Sequence, residues 1–102
     1  MKELKQGELE GFVKEGKCVV DFWAPWCGPC KMLLPVLEEV SEELKDYKFA
    51  KANVDDLGEE AMSLSIRGVP TLIFFNDGKE ISRVSGFLPK DALTTHIEEV
   101  FK

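Results

Sequence analysis

Residues Cys18-Val19-Val20-Asp21-Phe22-Trp23-Ala24 form a nearly unbroken apolar run that stops at Pro25-Trp26-Cys27-Gly28-Pro29-Cys30. A half-exposed strand would alternate apolar and polar residues, so a run of this kind reads as a central strand buried on both faces. Such a strand needs cover above and below, and the rest of the chain supplies it. A helical pattern near Gly7 to Glu15 places Leu9, Phe12 and Val13 on one side, and Gly16 ends it. After the cysteine pair a long helix runs to about Leu44, burying Leu33, Val36, Leu37, Val40 and Leu44, with Pro35 inside it removing one N–H.

Tyr47 to Val54 reads as a second core strand, and Asp55 to Ser65 as a loop with a short helix. Arg67-Gly68-Val69-Pro70 breaks the chain before a third core strand, Thr71 to Phe75. Asn76-Asp77-Gly78-Lys79 is a hairpin turn signal leading into Glu80 to Ser85. Gly86 breaks that strand, and Pro89 opens a final helix with Leu93, Ile97, Val100 and Phe101 inward. The signal for a short initial strand, Lys2 to Lys5, is weak. A β-α-β half followed by a hairpin and a helix gives an α/β fold, a mixed sheet covered by helices, with a right-handed crossover between the first two core strands.

At 102 residues the chain suits one domain, 1–102, and has no room for two cores. Its net charge of −6 is spread without long runs of one sign, which argues against nucleic acid or an anionic membrane as partner. Val69 to Phe75 is among the longest apolar stretches, far short of the roughly 20 residues that span a bilayer. The start Met1-Lys2-Glu3-Leu4-Lys5 carries no apolar signal core, so a cytoplasmic, monomeric protein is expected. No Gly-rich phosphate loop is present, and no nucleotide or other cofactor is expected.

Three cysteines are too few for a disulfide-stapled secreted scaffold. The spacing Cys27-Gly28-Pro29-Cys30 brings two thiols close enough to close a disulfide across a tight turn. The pair sits where a strand meets a helix, so Cys27 lies at a helix N-terminus, where unpaired N–H groups and the helix dipole favour a thiolate. The thiolate is the attacking species in thiol–disulfide exchange, and Cys30, one turn further in, is the shielded resolving thiol. Pro29 fixes φ in the first turn, where the lost N–H costs nothing. Zinc is the rival for any Cys-x-x-Cys, and Cys18, Cys27, Cys30 and His96 would supply four ligands. Cys18, however, lies about five residues before the end of its strand, roughly 17 Å from the turn at ~3.3 Å per residue. Two structural thiols at chance spacing are the third reading. The strand–turn–helix context favours redox chemistry, with no metal site.

Val20 to Lys31, including Trp26-Cys27-Gly28-Pro29-Cys30, resembles the signature of the thioredoxin family almost letter for letter. Lys51-Ala52-Asn53-Val54-Asp55, Ile66-Arg67-Gly68-Val69-Pro70-Thr71, Asn76-Asp77-Gly78 and the isolated Gly86 follow in that family's order and spacing. The resemblance implies the thioredoxin fold, a central five-stranded mixed sheet flanked by four helices. It implies reduction of disulfides in client proteins through a reversible Cys27–Cys30 disulfide, recharged by a thioredoxin reductase. Asp21, a carboxylate inside an apolar strand, matches the family's buried acid/base. Lys51 matches a lysine that modulates that acid; unaided, it reads as a snorkelling strand-end lysine.

Pro70 matches a cis-proline facing the cysteine pair, although most X–Pro bonds are trans. That arrangement would offer the Val69 backbone to an extended client, with Gly68 and Gly86 allowing close approach. Trp26 matches a client-contacting tryptophan beside Gly28 and Pro29. Trp23 reads as packing, and Lys31 as an exposed helix lysine close enough to favour the Cys27 thiolate. Ser85 and Phe87 depart from the family, which often has a small branched hydrophobe before this glycine and no bulky residue after it. They should alter the apolar patch around the cysteines. Cys18 matches no catalytic position and reads as a small buried hydrophobe.

Overall fold

A computed structural model describes residues 1–102. Nine elements follow in order: β1 (Lys2–Leu4), α1 (Leu9–Val13), β2 (Lys17–Trp23), α2 (Gly28–Glu43), β3 (Lys48–Asn53), α3 (Gly58–Ser63), β4 (Thr71–Asn76), β5 (Lys79–Ser85) and α4 (Lys90–Val100). The sheet order is β1-β3-β2-β4-β5. β1, β3 and β2 run parallel, β4 runs antiparallel to β2, and β5 antiparallel to β4. This is the five-stranded mixed sheet with four helices that the resemblance implied.

β2 is the middle strand, and its alternate residues enter two separate cores, which accounts for its unbroken apolar sequence. Cys18, Val20 and Phe22 pack with Leu4, Ala50, Ala52, Ile73 and Phe75 beneath Leu9 and Val13 of α1 and Leu57 beside α3. Val19 packs on the opposite face with Phe49, Leu72 and Phe74, beneath Leu33, Leu37 and Val40 of α2 and Leu93 and Ile97 of α4. A fully buried side chain of the size of Leu or Phe contributes about 1.5–3 kcal/mol, so both cores are needed for stability. Lys90 donates to Glu39 at 2.8 Å and to Glu43 at 2.5 Å, linking α4 to α2 across their exposed sides.

Several boundaries differ from the sequence reading. The weakly signalled first strand exists, because Lys2–Leu4 pairs with Ala50–Ala52 at the sheet edge. α1 covers only Leu9–Val13, and the chain then bends into Gly16, whose φ of 87° is incompatible with a continuing helix. α2 continues through Pro35 to Glu43. The hairpin turn carries Asp77 and Gly78 at positive φ, and Asp77 Oδ1 accepts from the Gly16 N–H at 2.8 Å. β5 carries Lys79, Glu80 and Arg83 along the open edge, and the β4–β5 register shifts at Phe74/Phe75.

The topology gathers four chain ends at one end of the sheet. β2 and β3 finish there in register, Trp23 opposite Asn53. β4 begins there and β5 ends there, with Thr71 opposite both Phe22 and Ser85. The cysteine turn, Val54–Asp55, Val69–Pro70 and Gly86 are therefore neighbours although they span 60 residues of sequence.

Candidate active site

Cys27 caps α2, and its sulfur accepts a hydrogen bond from the Cys30 N–H at 3.2 Å. Cys27 and Cys30 are joined in a disulfide with Cα atoms 5.3 Å apart. Cys27 keeps 6% of its surface exposed and Cys30 none, so Cys30 is sealed and a partner can approach the pair only from the Cys27 side. Both pack with Ala24, and with partly buried Trp23, Val54 and Val69 around them. Pro29 stands in the first turn of α2, as its fixed φ favours.

The Val69–Pro70 peptide bond is cis, as the resemblance implied. The Val69 carbonyl oxygen lies 3.6 Å from Cys27 Sγ, and the Val69 N–H has no hydrogen-bond partner within the protein. The loop is held from both sides: Thr71 Oγ1 donates to the Gly68 carbonyl at 2.7 Å, and the Gly86 N–H donates to the Pro70 carbonyl at 2.9 Å. A Cβ placed on Gly28, Gly68 or Gly86 would meet nothing within 4 Å, so the backbone around the cysteines is uncovered.

Asp21 is fully buried, and neither carboxylate oxygen has a hydrogen-bond partner. Burial pushes its carboxyl up to about 7, while the opposing charge of Lys51 pulls it down. Asp21 and Lys51 are paired across β2 and β3, and Lys51 Nζ also lies 5.1 Å from the centre of the Trp23 ring. Two residues before Trp23 on the same strand, Asp21 belongs to the face that α2 covers.

Trp26 is 69% exposed, and its indole N–H donates to Asp55 Oδ1 at 3.3 Å. Beside it lies a cavity of about 320 Å³, lined by Trp26, Val54, Ala61, Ile66, Arg67, Gly68 and Val69. The sequence reading named Trp26, Gly68 and Val69 but missed Val54, Ala61, Ile66 and Arg67. Those four come from segments brought together only by the β3–α3–β4 crossover; Val54, Ile66 and Arg67 lie in the matched blocks, but no local signal assigns any of the four to a cavity wall. Lys31 is exposed and joins no ion pair. Cys18 is buried on the opposite core, and no three His, Cys, Asp or Glu side chains are grouped as a metal site requires.

The thioredoxin family model matches residues 1–99. The chain belongs to the thioredoxin family. Curated relatives named thioredoxin include one from Chlamydia caviae, 40% identical over 99 residues that cover 97% of each chain. Another, from Mycoplasmoides gallisepticum, is 51% identical over 77 residues, 76% of this chain and 77% of the relative. A third, from Bacillus subtilis, is 48% identical over 80 residues, 78% of this chain and 77% of the relative. Family membership and the paired cysteines make this chain a protein dithiol–disulfide oxidoreductase. Thioredoxins act on disulfide-containing substrates and are recharged by a reductase. No helix here is long and apolar enough to cross a membrane.

Proposed function

We propose that this single domain, residues 1–102, reduces disulfides of client proteins with Cys27 as nucleophile, Cys30 as resolving thiol and Asp21 as the acid/base. The observation that carries the assignment is the asymmetry of the pair: Cys27 keeps some exposed surface and its Sγ receives the N–H of the first helical turn, whereas Cys30 is sealed. That N–H and the positive end of the α2 dipole favour the Cys27 thiolate in the reduced protein.

The Cys27 thiolate attacks one sulfur of the client disulfide. A Cys27–client disulfide forms, and the other client sulfur leaves as a thiolate that takes a proton from water. Cys30 then gives its proton to the Asp21 carboxylate and attacks Cys27 Sγ. The Cys27–Cys30 disulfide closes, the second client sulfur leaves as a thiolate that takes a proton from water, and Asp21 returns its proton to solvent. The client gains two electrons from the cysteine pair and two protons from water, balanced by the proton Cys27 shed on becoming a thiolate and the one Cys30 passes to Asp21. A carboxyl held near 7 suits this exchange, because at neutral pH it is divided between acid and base. Lys51 opposite Asp21 biases that division towards the carboxylate.

The unpaired Val69 N–H and its carbonyl support strand-like pairing with an extended client segment at Pro70. Gly28, Pro29, Gly68 and Gly86 leave room for it, and Trp26 with the adjoining cavity receives an apolar client side chain. A thioredoxin reductase returns the disulfide to the dithiol. A reducing compartment such as the cytoplasm suits a working state with free thiols. A second role, as a non-catalytic subunit that uses the same face, would survive replacement of both Cys27 and Cys30 by Ser.

A redox titration in dithiol buffers, read by tryptophan fluorescence, tests the main reading. A two-electron midpoint more negative than about −230 mV is expected for a reductant. A midpoint near about −120 mV would make the protein an oxidant and overturn the assignment.

A further inference from the structure

The two faces of the sheet are covered unequally. α2 and α4, with 16 and 11 residues, roof one face, whereas α1 and α3 supply only 5 and 6 residues to the other. The core beneath the short pair is open at one place. Leu9 keeps 8% of its surface exposed, and Val13 and Phe75 keep 5% each, while every other buried member of that core is at 1% or less. These three line one groove between α1 and α3, a cavity of about 410 Å³ with partly buried Leu64 as its fourth apolar wall. A second cavity of about 520 Å³ shares Gly7, Glu10 and Val13 with it and continues along α1 to the β4–β5 turn at Asp77 and Gly78.

The rim of this groove has one sign. Glu10, Glu59 and Glu60 line the first cavity, and no Lys, Arg or His does. None of the three carboxylates enters an ion pair. Glu60 Oε2 accepts from the Gly7 N–H at 2.7 Å, but its Oε1 is closed to solvent and has no hydrogen-bond partner. A carboxylate held partly out of water without a cation is costly, and a positive charge seated beside it offsets that cost. Asp77 extends the acidic rim at the far end, where Lys14 is the one cation in the lining. An apolar floor under an acidic rim complements a ligand that is cationic and apolar together. The groove runs past α1 from Gly7 to the β4–β5 turn, which suits a run of side chains on one chain better than a compact small molecule.

We propose that this groove docks a segment of a partner protein that carries Lys or Arg beside large apolar side chains. The groove shares no lining residue with the cavity beside Trp26, and neither Cys27 nor Cys30 borders it. A docked partner therefore leaves Cys27 free, and the domain can reduce clients while it is held on that partner.

The test uses labelled, cysteine-free peptides of sequence Lys-Leu-Lys-Leu-Lys, Lys-Ser-Lys-Ser-Lys and Glu-Leu-Glu-Leu-Glu, with binding to the full chain read by fluorescence anisotropy. The Lys/Leu peptide is expected to bind at least about tenfold more tightly than either of the others. Glu10→Lys and Glu59→Lys should each weaken it about tenfold, while insulin reduction by both variants stays within about twofold of the parent rate. Glu10→Gln should weaken it less, and serves if the Lys variants fold poorly. Saturating peptide should leave insulin reduction by the parent unchanged. No binding of the Lys/Leu peptide at about 1 mM would overturn the proposal. So would equal binding of the Lys/Ser peptide, which would reduce the effect to charge alone. Unaltered affinity in the folded Glu10 and Glu59 variants would place the peptide elsewhere, and competition with insulin would place it at the cysteines; either result refutes the assignment. A parent that dimerises in sedimentation, with Glu10→Lys monomeric, would give the groove to a second copy of this chain instead.

Discussion

Cys18, near the start of β2, and Cys27, just beyond its end, are both almost closed to solvent, yet their surroundings are opposite in polarity. Cys18 Sγ faces three carbonyl oxygens, those of Phe12 and Glu15 at 3.7 Å and Gly16 at 3.8 Å. Burial pushes its thiol up, with Lys48 pulling the other way and Asp77 adding to the rise. Cys27 Sγ instead accepts an N–H at 3.2 Å, closer than its one carbonyl neighbour at 3.6 Å. Carbonyl oxygens favour S–H, and a helix N-terminus favours S⁻. Burial is the main reason the Cys18 thiol stays protonated, and a helix-start N–H facing Cys27 Sγ offsets that cost for its thiolate.

The contrast breaks most visibly in turnover. Cys27→Ser should reduce the rate of insulin disulfide reduction at least about a thousandfold, whereas Cys18→Ser should stay within about twofold of the parent. Comparable losses in the two variants would remove the distinction.

A subtler effect concerns Asp21, which shares a strand with Cys18 and, in the proposed scheme, serves Cys30. Its folded carboxyl titrates near 7 against an ordinary 3.8, so folding favours its protonated form. The stability this residue allows is greatest below pH 3.8, falls as pH rises to about 7, and is level above that. Asp21→Asn should accordingly stabilise the protein at pH 8, by at most about 4 kcal/mol, and the gain should vanish near pH 3. The same variant should slow release of the Cys27–client disulfide about tenfold to a hundredfold near neutral pH. Urea unfolding at the two pH values and stopped-flow release of a labelled peptide measure both. A gain independent of pH would mean that the carboxylate is not what folding penalises.

The smallest effect sharpens the Cys18 side. Cys18→Ala should cost about 1 kcal/mol, the loss of one buried sulfur, without moving the redox midpoint. In the reduced parent, iodoacetamide should label Cys27 at pH 7 and reach Cys18 only under denaturant, as mass spectrometry of digested protein would show.

Much of this was legible in the letters because each feature had a local cause. The double-sided burial of β2 is visible in its missing alternation, and the hairpin in Asn76-Asp77-Gly78. The position of Cys27 at a helix start follows from Pro29 and the apolar spacing of Leu33, Leu37 and Val40. Pro70 was different: nothing nearby distinguishes a cis bond, and only resemblance pointed to it. β1 was faint because three residues cannot display a period, and its pairing with β3 exists only in the assembled sheet. The cavity beside Trp26 was invisible for a related reason, since Val54, Ala61, Ile66 and Arg67 are ordinary residues until the crossover gathers them. The hydrogen bond from Trp26 to Asp55 likewise joins residues 29 apart.

A protein that takes extended segments of other chains against its own backbone risks collecting strands wherever its sheet is open. Here the two outer edges are poor templates. β1 offers three residues, and β5 presents Lys79, Glu80 and Arg83, with the last two joined in an ion pair and a register shift beside them. Short strands, charges and irregular registers all discourage edge-to-edge growth. The Val69 N–H is uncommitted, but it lies on a loop rather than along an edge, with the cysteines beside it. An arriving segment can make only a brief pairing there and cannot propagate into a shared sheet. The same geometry that admits a client thus lets it go, keeping a disulfide reductase from becoming a seed for aggregation.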